Sequence, residues 1–86
     1  MTHTGIEIPK EYMYVLKDGR FAVDWGDGQM QDVMSGEFIA FRESDIGHPM
    51  LDKELDLLIT RGRVDSYDSR HVYLRPLPEG KRQMLD

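Results

Sequence analysis

Three histidines, seven clustered acids and three of the four serines are side chains in this sequence with the types needed for proton transfer, metal binding or nucleophilic attack. Their spacing decides what they can do. His3, His48 and His71 stand far apart, in neither an H-x-x-x-H nor an H-E-x-x-H arrangement, so no zinc site is signalled. Asp45 and His48 are close enough along the chain to form a base pair at a helix entrance, which is the one general-base arrangement on offer. The same two residues serve equally as loop and cap groups, and that reading is preferred. Asp24, Asp27 and Asp32 fall at intervals of three and five, which breaks the D-x-[DN]-x-[DN]-G order of a calcium loop. They read as turn-forming aspartates. Ser44, Ser66 and Ser69 lack the glycine-flanked elbow that activates a serine. Gly26-Asp27-Gly28 is a hairpin turn and does not open a helix, so it cradles no phosphate. No catalytic residue, metal or cofactor is implied, and the protein is expected not to be an enzyme.

The totals agree. The chain has 86 residues, no cysteine, 40% hydrophobic and 31% charged residues. That is one domain, residues 1–86, burying roughly 60–65% of its unfolded surface around a thin core. Without cysteine there are no disulfides and no thiolate chemistry. Residues 1–10 carry no apolar signal stretch, and no apolar run reaches the ~18–20 residues of a membrane span, so a cytoplasmic protein is expected. The net charge of −5 is uneven. Residues 1–60 hold five basic and twelve acidic residues (−7), and residues 61–86 hold six and four (+2). Such asymmetry orients partners.

The elements that must position these residues are mostly strands. Residues 12–25 predict a hairpin around Asp18-Gly19, read as a two-residue type I′ turn. That register pairs Leu16 with Phe21, Tyr14 with Val23 and Tyr12 with Trp25, putting the large residues on one face. A return strand over residues 29–34 follows. Pairing Trp25 with Met30 would then bring Asp32 to the buried face unless a bulge near Gln31 re-aims it. Residues 38–41 read as a short strand, with a short helix as the alternative. Leu51, Leu55, Leu58 and Ile59 mark one face of a helix over residues 50–61, between Pro49 and Gly62. Residues 63–67 and 71–77 form a last hairpin with Val64, Val72 and Leu74 inward. Residues 1–10 are expected to be a frayed or edge segment, and 79–86 a loose tail. The fold class is therefore α+β: an antiparallel β meander with one helix and a C-terminal β-hairpin. The meander is expected to curl into an SH3-like or otherwise partly open small barrel.

The order helix, Gly62, strand, turn, His71-Val72-Tyr73-Leu74 resembles the recognition helix and wing of a winged-helix domain. The resemblance covers residues 55–77 and implies phosphate contacts from Arg61, Arg63, Arg70 and Arg75. Against it, β-hairpins stand where helices should precede, and Asp52, Glu54 and Asp56 make the helix acidic. Nucleic-acid binding through the basic C-terminal hairpin is thus an alternative. A second alternative is an acidic inhibitor mimicking nucleic acid, with Asp18, Asp24, Asp27, Asp32, Glu37, Glu43 and Asp45 on one face.

The leading expectation is a non-catalytic protein-interaction module, an adaptor, regulator or assembly subunit, acting through a sheet edge and a polar loop. Its partner is another protein or a second copy, with no membrane. Residues 42–48 form a polar connection longer than its job requires. Arg42, Asp45 and His48 there, and Arg63, Arg70 and Tyr73 on the last hairpin, are the expected contacts. Exposed aromatics and methionines such as Met13, Met30 and Met34 would add adaptable contact, or would fill the core.

Overall fold

The computed structural model describes residues 6–76. In chain order they form β1 (Ile6–Pro9), a 3-10 turn (Lys10–Tyr12), β2 (Met13–Leu16), β3 (Phe21–Asp24), β4 (Gln29–Asp32) and β5 (Phe38–Ala40). A second 3-10 turn (Glu43–Asp45) then leads to β6 (Ile46–Pro49), α1 (Asp52–Thr60), β7 (Val64–Tyr67) and β8 (His71–Leu74). Two antiparallel sheets result, with strand orders β1-β8-β7 and β5-β4-β3-β2-β6. The α+β class, the meander, the single helix and the last hairpin are all present, and residues 38–40 are strand.

The first hairpin closes differently from expectation. Gly19 alone in it takes positive φ, +92°. Leu16 N–H donates to Arg20 C=O at 2.8 Å, and Gly19 N–H to Leu16 C=O at 2.9 Å. The loop is therefore Lys17-Asp18-Gly19, a three-residue turn needing one left-handed residue, which glycine adopts freely. Asp18 stays out of the left-handed region, and its carboxylate accepts Arg20 N–H at 3.0 Å. The pairs are Met13 with Val23, Tyr14 with Ala22 and Val15 with Phe21. One residue of slip exchanges faces. Met13 and Val15 join the main core, while Tyr14 and Leu16 turn to the opposite face with Ala22.

The second turn is corrected the same way. Asp24 pairs with Met30, Val23 with Gln31 and Ala22 with Asp32, in regular register without a bulge. Gln31 faces the core but is satisfied: Trp25 Nε1 donates to its Oε1 and its Nε2 donates to Gly36 C=O, both at 3.1 Å. β4 ends at Asp32, whose Oδ1 accepts the N–H groups of Met34 (2.8 Å) and Ser35 (3.1 Å) and so caps the next turn.

Five residues, 41–45, connect the opposite edges of this five-stranded sheet. Four strand gaps in a flat sheet span about 19 Å. Six fully extended steps reach about 20 Å, and a 3-10 turn rises only about 2 Å per residue. The sheet must therefore curl, drawing β5 and β6 closer than the edges of a flat sheet would stand. The topology, a four-strand meander followed by a 3-10 turn and a strand returning beside the first, is that of a partly open SH3-like barrel. One apolar residue from each strand fills it: Leu16, Ala22, Met30, Ile39 and Ile46.

The outer face of β2–β4 meets α1 and the three-stranded sheet in the main core. Met13, Val23, Leu55, Leu58, Val72 and Leu74 are all fully buried there. In α1 only Leu55 and Leu58 are buried. Leu51, expected on that face, is 50% exposed because it stands at the N-cap, and Ile59 lies at the stripe's margin. Leu51 N–H donates to Glu54 Oε1 at 2.7 Å, satisfying one orphan donor of the first turn. At the other end Gly62, at φ +77°, lets Arg63 N–H reach Leu58 C=O (2.9 Å) and Gly62 N–H reach Ile59 C=O (3.0 Å), the Schellman pattern that stops a helix.

Residues 6–9 are not frayed. They pair along their whole length with β8, as the edge strand of the small sheet. Lys10 N–H donates to Arg70 C=O at 2.8 Å, so alternate residues face β8 and Pro9 takes an outward position that needs no N–H. Val64, Val72 and Leu74 point inward as expected. The expected tail at 79–86, with Leu77, lies outside the described residues.

Candidate functional site

The six expected contact residues fall into two groups on two sheets. Arg42 and Asp45 lie on the crossing that joins β5 to β6, and both are exposed. Asp45 C=O accepts Lys17 N–H at 2.9 Å, which ties the crossing to the tip of the first hairpin. Two shallow hollows, about 160 and 200 Å³, adjoin it and share Arg20 and Asp45. The first is completed by Leu16, Lys17 and Asp18, and the second by Ile39, Ala40 and Arg42. Lys17, Arg20 and Arg42 thus gather around a partly apolar floor. Arg20 Nε is held by Asp18 at 2.7 Å, and the backbone N–H of Arg20 keeps that carboxyl below the usual carboxylate range.

His48 lies opposite Val15 on β6, exposed. Its Nδ1 sits 2.7 Å from Pro49 C=O, so it engages its own strand and makes no ion pair with Asp45. The outer rim of β6 is also guarded. Pro49 has no N–H, its carbonyl is occupied by His48, and Ile46 N–H is bonded to Glu43 C=O. A bulge between Val15 and Leu16 brings Gly47 so close that a Cβ would lie 2.8 Å from Val15 O.

Arg63, Arg70 and Tyr73 lie on or beside the last hairpin, in the small sheet, whereas the crossing belongs to the five-stranded one. Arg63 is half-buried and links helix to hairpin, its N–H on Leu58 C=O and its C=O accepting Arg75 N–H at 3.0 Å. Its Nε is buried without a hydrogen-bond partner. Arg70 is exposed at the hairpin tip, where Asp68 Oδ1 accepts the N–H groups of Arg70 and His71, each at 2.8 Å. Those two donors hold the Asp68 carboxyl below its ordinary range. Tyr73 lies on the outer face of β8, its hydroxyl 3.3 Å from Asp68 Oδ2. β8 is flanked on both sides, so only β7 of the last hairpin is an edge strand. Arg75 faces Asp65 at 3.5 Å.

The sequence pattern did not indicate Lys17, Arg20, Ile39 and Ala40. The missing signal was the reach argument: a five-residue link between sheet edges must bring the first hairpin tip to residues 42–45. Four of the seven acids considered for nucleic-acid mimicry, Asp18, Asp24, Asp27 and Asp32, accept backbone N–H groups within turns. Among the described residues, no three histidines or acids are grouped to hold a metal ion, and no helix is long and apolar enough to cross a membrane. No protein-family model matches the chain, and no curated protein or solved structure matches it significantly.

Proposed function

We propose that this protein is a small interaction module that engages another protein, or a second copy of itself, through residues 42–48. The observation that carries this reading is the crossing itself. It presents Arg42, Glu43 and Asp45 in the open, on a short link anchored by its hydrogen bond to Lys17, between hollows that a partner's side chains can enter. A charged rim beside a small apolar floor suits selective, salt-sensitive contact. The guarded rim of β6 favours side-chain recognition there over strand addition.

The test is affinity capture from a nuclease-treated extract at low and high salt, with wild type and the Arg42→Glu/Asp45→Lys double variant compared. Both substituted side chains are exposed, so the variant is expected to fold. A stoichiometric protein held by the wild type, weakened by salt and lost with the variant is the expected result. Capture that ignores the charge swap would sink the assignment to this surface. Material captured only when the nuclease is omitted would transfer the weight to nucleic-acid binding at Arg70 and its hairpin.

A further inference from the structure

Beside the crossing lies a surface of different character. Met50 N–H donates to Met13 C=O at 2.9 Å, extending the β2–β6 ladder past the Tyr14–Pro49 pair, so Tyr12 and Leu51 are the next residues along the two chains at its end. Tyr12 is 41% and Leu51 50% exposed, and they stand among the few large apolar side chains left open to solvent. Tyr14, the cross-strand partner of Pro49, is half-buried. Asp24 lies on the face of Tyr14, two residues beyond its partner Ala22, and Glu11 precedes Tyr12 in the exposed 3-10 turn. Burial first, and then the negative charges of Asp24, Glu11 and Glu43, raise the Tyr14 phenol above its ordinary pKa. Lys10, two residues before Tyr12, has its ammonium 2.8 Å from Asp52 and 5.2 Å from the Tyr67 ring centroid, and exposed Lys53 stands two residues beyond Leu51.

We infer that Tyr12, Tyr14, Pro49 and Leu51 form a docking shelf for a cationic side chain, arginine or lysine, of a partner segment. Aromatic faces attract cations, Pro49 and Leu51 supply apolar cover for an aliphatic stem, and Glu11, Asp24 and Glu43 supply complementary charge. The surplus of acids over residues 1–60 draws in the same kind of partner. This rests on the interaction-module reading and names the partner's chemistry.

The probe is acetylated hexa-arginine amide, titrated at low salt while ring signals of Tyr12 and Tyr14 and methyl signals of Leu51 are followed by NMR, with hexaglutamate as the opposite-charge control. Hexa-arginine is expected to move these signals in a saturable manner and hexaglutamate to leave them in place. Tyr12→Ala should weaken binding by about two- to fivefold. Tyr12→Phe, which keeps the ring, should bind like wild type, as should Glu37→Gln in the turn between β4 and β5. Shifts scattered evenly over all acids, or an affinity that Tyr12→Ala leaves unchanged, would overturn the shelf. The titration needs no native partner. Its failure beside a successful, charge-swap-sensitive capture removes the shelf alone, and success beside failed capture removes only the assignment to residues 42–48.

Discussion

The five-stranded barrel and the three-stranded sheet are built by opposite routes. The barrel is local: successive strands pair across short turns, and only β6 returns over a longer separation. The small sheet joins residues 6–9 to residues 71–74, across most of the chain. Closing so long a loop costs entropy before any contact repays it. Their faces differ too. The small sheet alternates in the ordinary way, with Ile8, Val72 and Leu74 inward and Glu7, His71 and Tyr73 outward. The inner strands of the barrel are buried on both faces, one lining the barrel and the other covering the main core. The lesson is that the barrel is not an independent unit. Its outer wall is half of the core on which the small sheet and helix depend.

The strongest attempt to break that view is Leu58→Ala. This fully buried helix residue packs in the core shared by both sheets, and its truncation should cost about 2–5 kcal/mol in urea unfolding. Amide exchange should accelerate in β2–β4 as well as in β7 and β8. Protection that persists in the barrel strands would show two separable units.

Gly47→Ala perturbs the barrel side alone. The added Cβ would meet the Val15 carbonyl at 2.8 Å, and backbone cannot move aside cheaply. A loss of about 1–3 kcal/mol is expected. Exchange should quicken first at Lys17 and Met50, whose amides hold the β2–β6 seam, while β1 and β8 keep their protection. Equal acceleration everywhere would contradict a local seam.

The smallest effect belongs to the small sheet and its helix. Tyr67 donates to Asp56 Oδ1 at 2.7 Å. That hydrogen bond, with burial and the charges of Asp56 and Asp52 adding to it, pushes the phenol up to about 12. A pKa raised by folding means a contribution fully present below the unfolded value near 10 and lost as pH climbs from 10 towards 12. Wild type should therefore lose more stability over that window than Tyr67→Phe. Because Tyr14 and Tyr73 are also raised, the difference between the two proteins is the quantity to measure. Identical alkaline profiles would refute the assignment to Tyr67.

Some of this architecture was legible residue by residue. Val64, Val72 and Leu74 alternate against a wet face, so their inward direction could be read directly. Gly62 and the Leu55–Leu58 spacing marked the helix and its stop. Arg42 and Asp45 were singled out as members of an overlong polar connection, but residues 46–49 are strand β6 and the five residues that remain form a short link between sheet edges. The registers of β2 and β3 were not, because a strand covered on both sides has apolar residues at every position. Met13-Tyr14-Val15-Leu16 fits either alternation equally well. Asp18-Gly19 likewise fits a two-residue turn with two left-handed residues or a three-residue turn with one, and only the paired strands select the latter.

By itself, the sequence determined the α+β class, the positions of the turns, the helix and the last hairpin, and the absence of cysteine chemistry. These depend on local backbone preference and on periodicity, which act over a few residues. Tertiary structure alone decided which face of each barrel strand meets which core, that residues 6–9 complete the small sheet, and that Arg20 and Lys17 stand beside Arg42 and Asp45. The physical reason is closure. A five-residue link between sheet edges forces the sheet to curl, and curling brings together side chains whose distance along the chain carries no sign of it.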